Sequence, residues 1–169
     1  YSKIINKDDL SVRTIFGDGA CATYVSKESS KISGVDNFIF GSDGSQYDKL
    51  IVPVGGFRNK NVYDSKQHDS SIMDKFGNKR NKDQLYMDGA KILIFTLDVV
   101  PNLIKKLLHQ SNLNLNDIDH FIFHQAKKFI IKKLVKKMDL PPYKVPIKLK
   151  FTGNLVSSGI PITYKNCIQ

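Results

Sequence analysis

Phe121-Ile122-Phe123-His124-Gln125-Ala126 carries an apolar run up to a histidine and then into a helical pattern. Downstream, Ala126, Ile130, Leu134 and Met138 recur at i+4, with Phe129, Ile131 and Val135 beside them. Lys127, Lys128, Lys132, Lys133, Lys136 and Lys137 fill the remaining face. That spacing predicts an amphipathic helix over 126–138, entered from a short buried strand over 119–123. Pro141-Pro142 ends the helix, and 145–151 reads as a second strand. Strands alternating with helices point to an α/β layered domain.

Earlier in the chain, Ile92, Phe95, Val99, Leu103 and Leu107 keep helical spacing from Gly89 onward. Pro101 lies inside this run, so either the helix kinks or a second one starts there. Residues 12–16 and 20–26 read as strands joined at Gly17-Asp18-Gly19, because Asp-Gly favours a tight hairpin turn. Residues 38–41 and 50–54 read as further short strands. Residues 59–84 are polar and without periodicity, as a long surface loop would be.

With 169 residues and 41% hydrophobic content, the chain can bury a real core. No apolar run is long enough to cross a bilayer, so no membrane association is expected. The net charge of +10 suggests an anionic partner, yet only Arg13, Arg58 and Arg80 are arginines. Nucleic-acid readers lean on arginine for bidentate base contacts, so nucleic acid is an unfavoured partner. Cys21 and Cys167 make no disulfide framework, and no Cys/His cluster has zinc spacing. A reducing cytoplasm, no metal and no cofactor are the expectation.

Three places carry chemistry. His124 stands where a strand meets a helix, and ligands bind at strand ends of α/β sheets. The free N–H groups of a helix start would favour neutral imidazole there; a lone histidine is nevertheless more often a packing or capping residue. Thr152-Gly153-Asn154-Leu155-Val156-Ser157-Ser158-Gly159-Ile160-Pro161 places an asparagine in a turn before a new helix. Its side chain can cap that turn, or can be a fixed donor aimed at a developing oxyanion. Phe16-Gly17-Asp18-Gly19-Ala20-Cys21-Ala22 fits a loose dinucleotide pattern, but Thr23-Tyr24-Val25 follows with strand formers where that motif needs a helix. Cys21 reads as a small buried residue with no basic neighbour to activate it.

Taken in order, Phe16-Gly17-Asp18-Gly19-Ala20, Gly41-Ser42-Asp43-Gly44, Met87-Asp88-Gly89, His124-Gln125-Ala126 and Gly153-Asn154 through Ser158-Gly159-Ile160-Pro161 form one set. With this set the chain resembles the C-terminal half of the beta-ketoacyl-ACP synthase III family. The resemblance implies a thiolase-like layered α/β fold, with a mixed sheet packed by helices. It divides the chain into 1–58, the end of the N-terminal and linking part; 59–84, a polar surface loop; and 85–169, an incomplete C-terminal domain.

The resemblance also implies a Cys–His–Asn site, with His124 and Asn154 as its second and third members and the nucleophilic cysteine upstream of the chain. The implied reaction is decarboxylative condensation of acyl-CoA with malonyl-ACP by a cytoplasmic homodimer, initiating fatty-acid or related acyl chains. The chain alone would then be inactive. Where the family commonly has Asn-Leu-Arg after His-Gln-Ala, this chain has Lys127-Lys128-Phe129. Lys128 and Lys132, on one i+4 row, are the substitutes for an arginine that docks the acidic carrier protein. An alternative is a relative that moves an acyl group to a hydroxyl or amine without decarboxylation.

Overall fold

Asp9 is buried, and its Oδ1 accepts the Ser11 N–H at 2.9 Å, which starts the short helix α1 (Leu10–Arg13). A carboxylate in that position satisfies an otherwise orphaned helix N–H. The computed structural model describes residues 1–26, 34–55 and 71–168. They form two compact units, Tyr1–Asp18 with Asp43–Ile94, and Gly19–Ser42 with Phe95–Gln169. The units interleave along the chain, so neither is one continuous stretch.

In the first unit, β1 (Leu50–Ile51) pairs antiparallel with β4 (Tyr86–Met87), and β2 (Ile72–Met73) with β3 (Lys79–Arg80). Gly77 makes the β2–β3 turn possible with φ +81, a conformation open to glycine at little cost. The hairpin places Arg80 against Asp9 at 2.8 Å and over the Tyr86 ring at 4.6 Å. Asn78 of the same turn accepts the Leu10 N–H at 3.1 Å. The described part of the expected polar surface loop is therefore a hairpin that anchors α1. Asp88 caps the following helix, its Oδ1 accepting the Lys91 N–H at 3.0 Å.

That helix, α2 (Gly89–Gln110), runs through Pro101 without a break. Pro101 withholds one N–H from the helix, and Asn102 Nδ2 adds a bond to the Asp98 carbonyl at 3.0 Å. In the second unit, Phe121, Phe123, Ile131, Leu134, Leu140 and Val145 form the core, with Leu97, Val100 and Ile104 of α2 packed on it. Helix α3 (Lys128–Met138) supplies Ile131 and Leu134 to that core, and α4 (Gly159–Lys165) follows the Asn154 turn.

Several expected strands take other forms. Val12 lies in α1, where the Asp9 cap outweighs the β preference of a branched side chain, so no hairpin forms over 12–16 and 20–26. Residues 38–41 pair with no strand; Phe38 and Phe40 stack on each other instead, ring centroids 5.9 Å apart. Of 50–54 only Leu50 and Ile51 join a ladder, and Pro53 lacks the N–H to extend it. Residues 121–125 are extended, with Phe121, Phe123 and Gln125 buried and His124 exposed, the alternation of a strand. They join 144–148 through the Phe121 N–H to the Lys144 carbonyl (2.8 Å) and through the Gln125 side chain. Pro146 interrupts any regular ladder there.

Candidate active site

Extended backbone throws successive side chains to opposite faces. With Phe123 and Gln125 anchored in the core, His124 is turned outward. Helix α3 begins at Lys128 with Lys127 as its N-cap, four residues beyond the histidine. The expected helix-start field at His124 is thus replaced by another cause. Burial by surrounding atoms pushes the imidazole below its ordinary pKa, although its side chain keeps an exposed edge. A hydrogen bond with the Val156 backbone acts in the opposite direction.

Asn154 is 5% exposed, and its Oδ1 accepts the Val156 N–H at 2.9 Å. A backbone N–H can be met only by the carbonyl oxygen of the carboxamide, so this bond fixes which way the amide faces. Among the described residues nothing accepts from Nδ2, which stays in reach of solvent. The side chain therefore caps its own turn, the first of the two alternatives open from sequence.

His124 and Asn154 meet at one peptide segment: Asn154 Oδ1 accepts the Val156 N–H, and the Val156 backbone lies close enough to His124 to act on its pKa. Val156 has φ +54, in the left-handed region that β-branched residues avoid. Such strain persists only where the surroundings overdetermine it, and it concentrates at functional sites. Leu155 is buried against Gly19, where a Cβ would fall 2.9 Å from Leu155 Cδ1, and Ser158 Oγ donates to the Gly19 carbonyl at 3.3 Å. Gly19 thus packs beneath the Asn154 turn, where a Cβ would push the end of the Leu155 side chain aside.

Lys128 and Lys132 are exposed on α3, one turn apart. Phe129 is 51% exposed, and Lys133 Nζ lies 5.3 Å from its ring centroid. Cys21, expected to be buried, is exposed. Among the described residues no group of three or more His, Cys, Asp or Glu is placed to hold a metal ion, and no helix is long and apolar enough to cross a membrane. Sequence reasoning assigned no role to Val156 or Gln125. Val156 carried no signal, since valine argues against its own conformation; Gln125 carried one, a polar residue at the inward position of an apolar strand.

The arrangement of helices and short strands is that of the thiolase-like 3-oxoacyl-ACP synthase III structures. Residues 1–44 match the family described as 3-Oxoacyl-[acyl-carrier-protein (ACP)] synthase III, and 108–169 match its C-terminal counterpart. The beta-ketoacyl-[acyl-carrier-protein] synthase III of Clostridium tetani is 32% identical over 166 residues, covering 95% of this chain and 46% of that protein. A crystal structure of a 3-oxoacyl-(acyl-carrier-protein) synthase III superposes with TM-score 0.92 at 39% identity, covering 99% of this chain and 49% of the other. A second, from Burkholderia xenovorans, gives 0.73 at 30% identity, covering 98% and 44%. The chain belongs to the beta-ketoacyl-ACP synthase III family. It spans about half the length of the curated relatives it matches.

Proposed function

We propose that this chain supplies the histidine and asparagine of a thioester condensation site in a beta-ketoacyl-ACP synthase III that joins acyl-CoA to malonyl-ACP. The supporting observation is that His124 and Asn154 both come up to the Val156 backbone, Asn154 through a hydrogen bond. Loss of CO2 from a malonyl thioester puts negative charge on the thioester oxygen. Asn154 Nδ2, held in place by the bond to Oδ1, and the ring nitrogen of His124 that Val156 does not engage stabilise that charge. Groups fixed in advance do this with no reorganisation during the reaction. In this reading the acyl group is carried as a thioester on the cysteine of the Cys–His–Asn set, whose thiolate displaces CoA from acyl-CoA.

The exposed Lys128–Lys132 row fits an acidic carrier protein. Lys128 is the first residue of α3, where a positive charge sits against the positive end of the helix and an incoming anion is doubly favoured. The whole protein acts as a cytoplasmic homodimer, and its products start fatty-acid or related acyl chains.

The test is made in the full-length protein by measuring acyl loading separately from CO2 release. His124→Ala and Asn154→Ala each lower CO2 release by about 10²–10³-fold, the cost of one preorganised donor, and leave loading within about threefold. Equal loss of both steps would sink the assignment.

A further inference from the structure

Gln125 is 2% exposed in the middle of an apolar core, a costly place for a carboxamide unless its bonds are made. They are made: Nε2 donates to the Phe123 carbonyl at 2.9 Å and to the Pro146 carbonyl at 3.4 Å, and Oε1 accepts the Lys148 N–H at 3.0 Å. Pro146 has no N–H, so this side chain supplies the donor and acceptor that a neighbouring strand peptide would have offered. On its other side Gly159, the first residue of α4, lies against it; a Cβ there would sit 3.5 Å from Gln125 Cβ. Gln125 thus touches the backbone that turns His124 outward, the stretch 146–148 beside it, and the helix that closes the Asn154 turn.

We propose that Gln125 is the positioning residue of the condensation site, its saturated carboxamide and its contact with Gly159 holding His124 in register with the Asn154 turn. This rests on the roles given above to His124 and Asn154. A leucine would fill the same volume and bury more apolar surface. What glutamine adds is direction: three bonds that fix the face of an extended segment on which the next residue must point outward. A small displacement suffices to matter, because catalytic groups misplaced by an ångström lose about 10²-fold.

The experiment compares Gln125→Met and Gln125→Glu with the parent full-length enzyme, measuring acyl loading and CO2 release across pH. Gln125→Met keeps the bulk and loses the bonds; CO2 release falls by about tenfold or more at every pH while loading stays within about twofold. Gln125→Glu sets a carboxylate against two carbonyls, and burial raises its pKa. Once protonated it again has a donor and an acceptor, so its CO2 release recovers as pH falls, opposite in slope to the parent. If Gln125→Met does not fold, Gly159→Val tests the same linkage: a Cβ there already stands at ordinary contact distance, 3.5 Å from Gln125 Cβ, so branched atoms beyond it displace the Gln125 side chain without removing a bonding group, and the same selective loss is expected. Wild-type CO2 release in these variants, or equal loss of loading and release at all pH values, would overturn the proposal. His124→Ala and Asn154→Ala run alongside: if they too leave CO2 release intact, the underlying roles fail, and if they abolish it while the Gln125 and Gly159 variants do not, only the positioning role fails.

Discussion

At Val156 a β-branched residue holds φ +54 with its N–H bonded to Asn154 Oδ1. A residue held there stores about 1–3 kcal/mol. Replacing it with glycine removes the Cβ clash and costs under about 1 kcal/mol in unfolded-chain entropy. Val156→Gly is expected to raise the thermal midpoint and keep condensation, because the peptide that binds Asn154 remains; a lower midpoint would refute the strain. Val156→Pro removes the N–H that Asn154 accepts and forces φ negative, and should abolish condensation. His124 titrates below about 6.5 because its surroundings desolvate the imidazolium. In the window between the folded pKa and about 6.5 the unfolded chain binds more protons, so this contribution to stability is whole above about 6.5 and is lost as pH falls through the folded value. NMR titration of the His124 ring should give a pKa under 6.5, and the His124→Gln variant should lose this part of the acid dependence of stability.

Among the elements, the β2–β3 hairpin shows how a polar stretch becomes structural. Its Arg80 meets Asp9, which is 0% exposed and already caps α1, and Asp74 and Asn78 complete the network. Removing one partner of a buried pair leaves an uncompensated charge at a cost of about 3–5 kcal/mol. Arg80→Met should lower the urea midpoint accordingly, and adding Asp9→Asn should recover part of the loss. If Arg80→Met alone is neutral, the pair does not hold α1 to the hairpin. In α3 the lysines stand on the solvent side because Ile131 and Leu134 take the core side, so the basic row follows directly from the burial pattern.

Across the whole molecule, large apolar side chains stay in water: Phe40 is 88% exposed, and Tyr24, Val25, Tyr143 and Phe151 are exposed with it. Isolated apolar residues on a surface are ordinary, but stacked Phe38 and Phe40 beside Lys105 and His109 make a continuous patch. The chain should self-associate as its concentration rises, seen in sedimentation equilibrium as a mass above the monomer. Phe40→Asp should shift that equilibrium toward monomer; an unchanged mass at all concentrations would show that the patch is inert.

Short-range physics made much of this visible in the chain. Helical spacing placed α2 and α3 and the Pro141-Pro142 stop ended α3 near Met138, while His124 and Asn154 were singled out only by the family resemblance. The Val12 helix, the Arg80 hairpin and the loss of the Gly17-Asp18-Gly19 hairpin were decided elsewhere, because a cap or an ion pair to a distant residue outweighs a propensity of a few tenths of a kilocalorie per mole. The same holds at the site. The sequence by itself determined which side chains could do the chemistry, since residue type sets what can donate or accept. Only the tertiary structure decided that one strained valine stands beside both of them, because a left-handed peptide survives where packing on every side leaves it no other conformation.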